Sequence, residues 1–131
     1  MIIAVQTKNA PAAVGPYSQA IRFDRLIFTS GQIPLDPATG ALPTDDISVQ
    51  ATQALENLKA VLTAAGAGLE NVLKTTVFIR DMSLFGTVNA IYAKYFSGNI
   101  TPARSCVEVS ALPKGVLIEI EAVAVAPEEG R

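Results

Sequence analysis

The sequence contains no histidine. That excludes a Ser-His-Asp triad, a Cys-His dyad and any metal site built on imidazole. There is one cysteine, Cys106. One thiol forms no internal disulfide and no thiolate zinc site, and a reducing cytoplasm is the expected compartment. Long apolar runs are also missing. None approaches the ~20 residues of a membrane helix, so no membrane partner is expected. The opening MIIAVQTKN has no basic n-region and no long h-region, so no secretory signal is expected. Basic residues are not in excess: 10 Lys and Arg against 12 Asp and Glu leave a net charge of −2. Nucleic-acid binding is therefore not expected, because it usually needs a basic face. Acid–base work falls to carboxylates, Tyr, Lys, Cys or bound water.

What is present is apolar. Half of the 131 residues are hydrophobic, and a chain of this size buries roughly two-thirds of its unfolded surface. One domain over residues 1–131 is expected, with no repeat or linker. After a short first strand, residues 17–23 and 26–30 read as two strands joined at Asp24-Arg25. Residues 33–46, with Pro34, Pro37, Gly40 and Pro43, read as a loop turning at DPATG. Ala51, Ala54, Leu55, Leu58, Val61, Leu62 and Ala65 recur at helical spacing over 48–65, with Gly66 as the stop. Residues 71–80, NVLKTTVFIR, read as a strand. A second helix is expected over 83–97, with Phe85, Val88, Tyr92, Tyr95 and Phe96 along one side. Caps are available at Asp46 or Ser48 and at Asp81 or Ser83, and Asp45-Asp46 reads as loop or cap rather than as a metal site. Two strands joined by SALPKG end the chain. The pattern predicts a two-layer α+β domain with both helices on one face of the sheet.

The last two strands carry misplaced charge. TPARSCVEV (101–109) puts Arg104 among strand residues beside Cys106, and VLIEIEAVAV (116–125) carries Glu119 and Glu121. Alternation gives Ile118, Ile120, Ala122 and Ala124 a wholly apolar face for the helices. Leu117, Glu119, Glu121, Val123 and Val125 share the other. Read as a hairpin with Val109 opposite Val116, the strands place Cys106 opposite Glu119 and Arg104 opposite Glu121. Arg104 and Glu119 are then near neighbours on the helix-free face. Such a mixed surface is economically buried against another copy, so a homo-oligomer is expected. An Arg and a Glu at that seam are either an inter-subunit salt bridge or a ligand site. Cys106 reads as a small packed residue, since no histidine is there to activate it. Gly15-Pro16-Tyr17 and Ser30-Gly31 read as turns at strand ends.

PARSCVEV, then LP, then IEIEAVAV closely resembles the C-terminal signature of the RidA (YjgF) family of reactive-intermediate deaminases. NAPAAVGPYSQA, TSGQIPLDPATG, KTTVFIRDM and TVNAIYAKYF extend the resemblance over nearly the whole chain. It implies a chorismate-mutase-like α+β fold assembled as a homotrimer, with sites in the clefts between subunits. It implies hydrolysis of small 2-imino acids to 2-keto acids and ammonia, with no metal and no cofactor. Arg104 would bind the substrate carboxylate, and Glu119 would orient or deprotonate the attacking water. Tyr17, Ser30, Gly31, Asn89 and Cys106 would complete the binding surface, while Glu121 is left as structural. A keto-acid-binding sensor or chaperone without turnover is the alternative of a different class. An endoribonuclease or translation inhibitor is a further one, against which the acidic balance and the missing histidine weigh.

Overall fold

Strand β6 (Ile118–Val125) alternates buried and half-buried residues along its whole length. Such a strand sits inside a sheet with one face against a core. In the computed structural model, which describes residues 1–128, that is its place. The other elements are β1 (Ile2–Val5), β2 (Ala20–Phe23), β3 (Leu26–Thr29), α1 (Ile47–Ala64), β4 (Val72–Ile79), α2 (Phe85–Tyr95) and β5 (Ala103–Glu108). They form a mixed sheet in the order β1-β2-β3-β6-β4-β5. β3 and β4 are both antiparallel to β6 and so run parallel to each other, with α1 in the connection between them. α2 carries the chain from β4 to β5, which pair in parallel.

Helix α1 starts where Asp46 accepts the N–H groups of Ser48 and Val49 at 2.7 and 3.2 Å, as an N-cap carboxylate should. It ends at Gly66, whose φ of +94° lets the Ala67 N–H reach back to Leu62 O at 2.9 Å, closing a Schellman motif. Leu55, Leu58, Val61 and Leu62 on its inner stripe meet Ile27, Ile79, Ile118 and Ile120 from the sheet, all at most 1% exposed. Each such side chain contributes about 1.5–3 kcal/mol through burial. Asp81 caps the 3₁₀ turn before α2 through the Ser83 N–H at 2.9 Å. That hydrogen bond holds the Asp81 carboxyl below its ordinary pKa.

Three buried side-chain amides pin loops to this core. Gln19 donates to Pro11 O at 2.8 Å and Thr7 O at 3.1 Å, and accepts from Thr7 N at 2.7 Å. Asn57 donates to the carbonyls of Ile33 and Leu35, each at 2.9 Å. Gln50 donates to Thr44 O and accepts from Leu117 N, each at 2.8 Å. Buried amides without such partners would cost more than they contribute.

The expected hairpin of the last two strands does not form. β4 lies between β5 and β6, with Thr75 opposite Arg104, Val77 opposite Cys106, Phe78 opposite Glu119 and Thr76 opposite Glu121. The connection over 109–117 is too long for a tight hairpin, and the α2 crossover had already set β5 parallel to β4 on its outer side. Directly opposed residues share a face. Arg104, Cys106 and Glu108 therefore lie with Thr75, Val77 and Ile79 on the helix side, not on the helix-free side as expected. Ala103, Ser105 and Val107 take the helix-free face. Glu119 and Glu121 do lie on the helix-free face, opposite Phe78 and Thr76. Arg104 and Glu119 are consequently not neighbours within one chain. They sit two strands apart on opposite faces.

Candidate functional site

The residues singled out in the sequence fall into two groups. The first is at the β5 edge, on the helix side. Arg104 Nη1 donates to Asn89 Oδ1 at 2.7 Å. The guanidinium carbon stands 4.8 Å from the ring centre of Tyr92 and 5.2 Å from that of Phe85. Phe85, Asn89 and Tyr92 are spaced i, i+4 and i+7 on α2 and so face one way. Among the described residues Nε and Nη2 have no acceptor, and no carboxylate lies within ion-pair distance of Arg104. This fork is open to an anion, for which a planar guanidinium is the suited residue. Tyr92 is held from beneath: its hydroxyl and that of buried Thr75 are 2.7 Å apart. Burial pushes the Tyr92 phenol up in pKa, against smaller opposing effects of Thr75 and Arg104. Cys106 lies two residues along the same face and is half-buried. Burial pushes its thiol up, against a smaller pull downward from Arg104, so it is no activated thiolate.

The second group lies around the end of β3. Ser30 Oγ donates to Ser18 O at 2.6 Å, and Ser30 N donates to Gln19 O at 2.9 Å. These bonds tie it to the stretch that follows Tyr17. Tyr17 is half-exposed, and its hydroxyl accepts from Val14 N at 3.4 Å. Gln32 pairs with Ile120 through two backbone hydrogen bonds of 2.7 and 3.0 Å. Gly31 is thereby held against Glu119. A Cβ on Gly31 would lie 2.6 Å from Glu119 Cδ and overlap the carboxylate. The missing side chain is the room in which the Glu119 carboxylate lies. Burial raises the pKa of Glu119, and the like charge of Glu121 raises it further. A groove of about 650 Å³ beside Tyr17 is lined by Tyr17, Ser18 and Gln19 with Thr7, Lys8 and Ala38. It contains neither Glu119 nor Arg104.

The structure thus joins Arg104, Asn89 and Cys106, and separately links Tyr17 through Ser18 to Ser30, Gly31 and Glu119. It does not bring the two groups together in one chain. Phe85, Tyr92 and Thr75 are the residues that reading the sequence missed. Helical spacing sets Phe85 and Tyr92 along one side of the second helix and gives them no role at the site, although they share a helix face with the candidate Asn89. Among the described residues no cluster of three or more Cys, Asp or Glu side chains has metal-binding geometry, and no helix is long and apolar enough to cross a membrane.

Fold and site together define an α+β protein with an open arginine fork on one sheet face and a raised-pKa carboxyl on the other. Residues 7–126 match the model of the Endoribonuclease L-PSP family. The chain belongs to that family, the RidA/YjgF family its motifs resemble. It is 55% identical to the 2-iminobutanoate/2-iminopropanoate deaminase of Salmonella typhimurium over 123 residues, covering 92% of this chain and 95% of the relative. It is 57% identical to RutC family protein slr0709 of Synechocystis over 124 residues, with 94% and 95% covered. Its fold is similar to that of the Rid family protein YyfA of Yersinia pestis, with a TM-score of 0.94, 52% identity and 96% and 100% of the two chains covered.

Proposed function

We propose that the protein hydrolyses small 2-imino acids to 2-keto acids and ammonia, in clefts formed between copies of the chain. The observation that carries this reading is the open Arg104 fork, held by two rings and an amide with no carboxylate partner among the described residues. The name of the Salmonella relative supplies the substrate class.

Arg104 and Glu119 lie on opposite faces of the sheet, so one substrate meets both only if a second chain supplies one of them. The helix-free face supports such assembly, since the face that carries Glu119 also exposes Phe23, Leu26, Phe28 and Val107. An apolar surface of that kind marks an interface. The homotrimer implied by the family resemblance is the assembly we propose.

The chemistry needs little equipment. Arg104 fixes the substrate carboxylate. Water adds its oxygen to C2 of the protonated imine while Glu119 accepts its proton. The resulting carbinolamine takes a proton on nitrogen, the C–N bond breaks toward nitrogen, and the hydroxyl proton leaves to give keto acid and ammonia. A protonated imine is already strongly electrophilic, so position and one carboxylate suffice. Tyr17, Ser30 and Gly31 line the Glu119 side, while Asn89 and Cys106 line the Arg104 side. Cys106 contributes shape and backbone rather than a nucleophile.

The test generates 2-iminobutanoate in place from threonine with a dehydratase, beside a trapping amine that competes for it. The purified protein should lower the trapped imine and speed keto-acid release. Keto-acid binding without any change in release would instead make the protein a sensor.

Two substitutions probe the Glu119 side. Gly31→Ala should lower kcat about a hundredfold, since a misplacement of about 1 Å costs that much, with little change in melting temperature. Steady-state kinetics beside a thermal melt check this, and unchanged kcat would remove Gly31 from the site. Glu121→Gln removes a like charge that raises the pKa of Glu119. The pH-rate limb belonging to Glu119 should therefore move to lower pH. The direction is the same whether the charged or the neutral carboxyl is the active form. Lys74, opposite Val123, is an ionisable group on the same sheet face from the neighbouring β4, and its substitution by Gln serves as the comparison. A limb that stays in place, or moves up, would separate Glu121 from the titration.

A further inference from the structure

Three observations converge on one side chain. Thr75 is the direct β-ladder neighbour of Arg104. Its hydroxyl is 2.7 Å from that of Tyr92, and the Tyr92 ring lies beneath the Arg104 guanidinium at 4.8 Å. The three residues close a triangle of one backbone pairing, one buried hydrogen bond and one cation–π contact. We propose that Tyr92 is the positioning residue for Arg104, with Phe85 as the second ring of an aromatic clamp that sets the plane in which the fork receives a carboxylate. This rests on the reading of Arg104 as the carboxylate-binding group.

The physical need is plain. Arg104 is exposed at an edge strand and has a long, rotamer-rich side chain. An unrestrained guanidinium loses that freedom on binding, which weakens the complex. Asn89 fixes one nitrogen and therefore a direction, but not a plane. Two ring faces on the same helix fix the plane, because a guanidinium stacks on aromatic surfaces. Tyr92 is itself held by its surroundings. It is 7% exposed, its ring centre is 4.5 Å from that of Phe96, and its hydroxyl is engaged by Thr75 in the sheet core. Thr75 is polar at a position where β4 otherwise faces the helices with Val77 and Ile79, all three buried. A Val there would fill nearly the same space, so the hydroxyl is explained by the phenol it meets.

The test titrates the assembled protein with 2-oxobutanoate and measures steady-state kinetics on 2-iminobutanoate. Tyr92→Leu should weaken keto-acid binding and raise KM, each about tenfold, the worth of a partly desolvated cation–π contact. kcat should move much less, since a carboxylate grip serves ground and transition states alike. Tyr92→Phe keeps the ring and should restore both constants to within about threefold of the parent. A merely structural role predicts the opposite pattern: kcat and melting temperature fall together, and Phe gives no selective rescue of binding. That pattern, or constants within twofold of the parent in Tyr92→Leu, overturns the proposal. If Tyr92→Leu does not fold, Phe85→Leu at the first turn of α2 is decisive by the same readouts, and unchanged binding there overturns the clamp. Arg104→Ala separates the layers. Full keto-acid binding in that variant sinks the carboxylate reading and the clamp with it. Lost binding there, beside a silent Tyr92→Leu, sinks the clamp alone.

Discussion

Arg104→Ala is expected to lose about a thousandfold or more in kcat/KM on 2-iminobutanoate, equivalent to roughly 4 kcal/mol of transition-state stabilisation. The fold should survive. The guanidinium is exposed and forms no ion pair among the described residues, and its removal leaves Asn89 without one partner at a solvent-facing edge. A melting temperature within about 4 °C of the parent is the corresponding expectation. Arg104→Lys is the informative companion. It keeps the charge but loses the planar fork, and lysine does not stack on Tyr92 and Phe85 as guanidinium does. It should recover only a small part of the lost activity. Imine trapping with the three proteins at equal concentration decides the matter, and an Arg104→Ala protein that still clears the imine would end the assignment of Arg104.

The elements were legible because their periodicities are clean. α1 carries a helical apolar stripe between an acidic cap and a glycine stop, and the observed Ile47–Ala64 lies within one residue of the expected 48–65. The helix-facing set of β6 was read correctly, because period-2 alternation in a central strand leaves one answer. The failure came at pairing. Alternation says which residues of β5 share a face but not which face that is. Face assignment needs the neighbour, and the neighbour of β5 is β4. Sequence adjacency favoured a hairpin, while the α2 crossover and the long 109–117 connection argued for a parallel partner. The error moved Arg104 across the sheet and created a false contact with Glu119. Gly31 was legible as a turn, but its close approach to Glu119 was not, since it depends on the isolated bridge between Gln32 and Ile120. Helical spacing sets Phe85 and Tyr92 on one side of the second helix but gives them no role at the site. Tyr92 is buried, and only the position of the β5 edge reveals that its ring also carries a guanidinium.

Mixing two inactive proteins is expected to restore activity. Glu119→Gln should lose about 10²–10⁴-fold in kcat through loss of its proton transfer, and Arg104→Ala loses its grip on the substrate. The two residues cannot reach one ligand from a single chain, since β4 separates their strands and they lie on opposite sheet faces. In the proposed cyclic oligomer each cleft would take one residue from each of two neighbours. Denaturing the two variants together at equal amounts and refolding them yields clefts whose Arg104 comes from the Glu119→Gln chain and whose Glu119 comes from the Arg104→Ala chain. With random assembly such intact clefts are about a quarter of the total, so the mixture should show roughly a quarter of parental activity while either variant alone shows almost none. The converse mixture sharpens the test. Parent refolded with an equal amount of the double variant should show about a quarter of the activity of the same total amount of protein as pure parent if clefts are shared, but about half if each chain holds its own site. A silent first mixture and one-half in the second would place both groups on one chain, which the sheet as built does not permit.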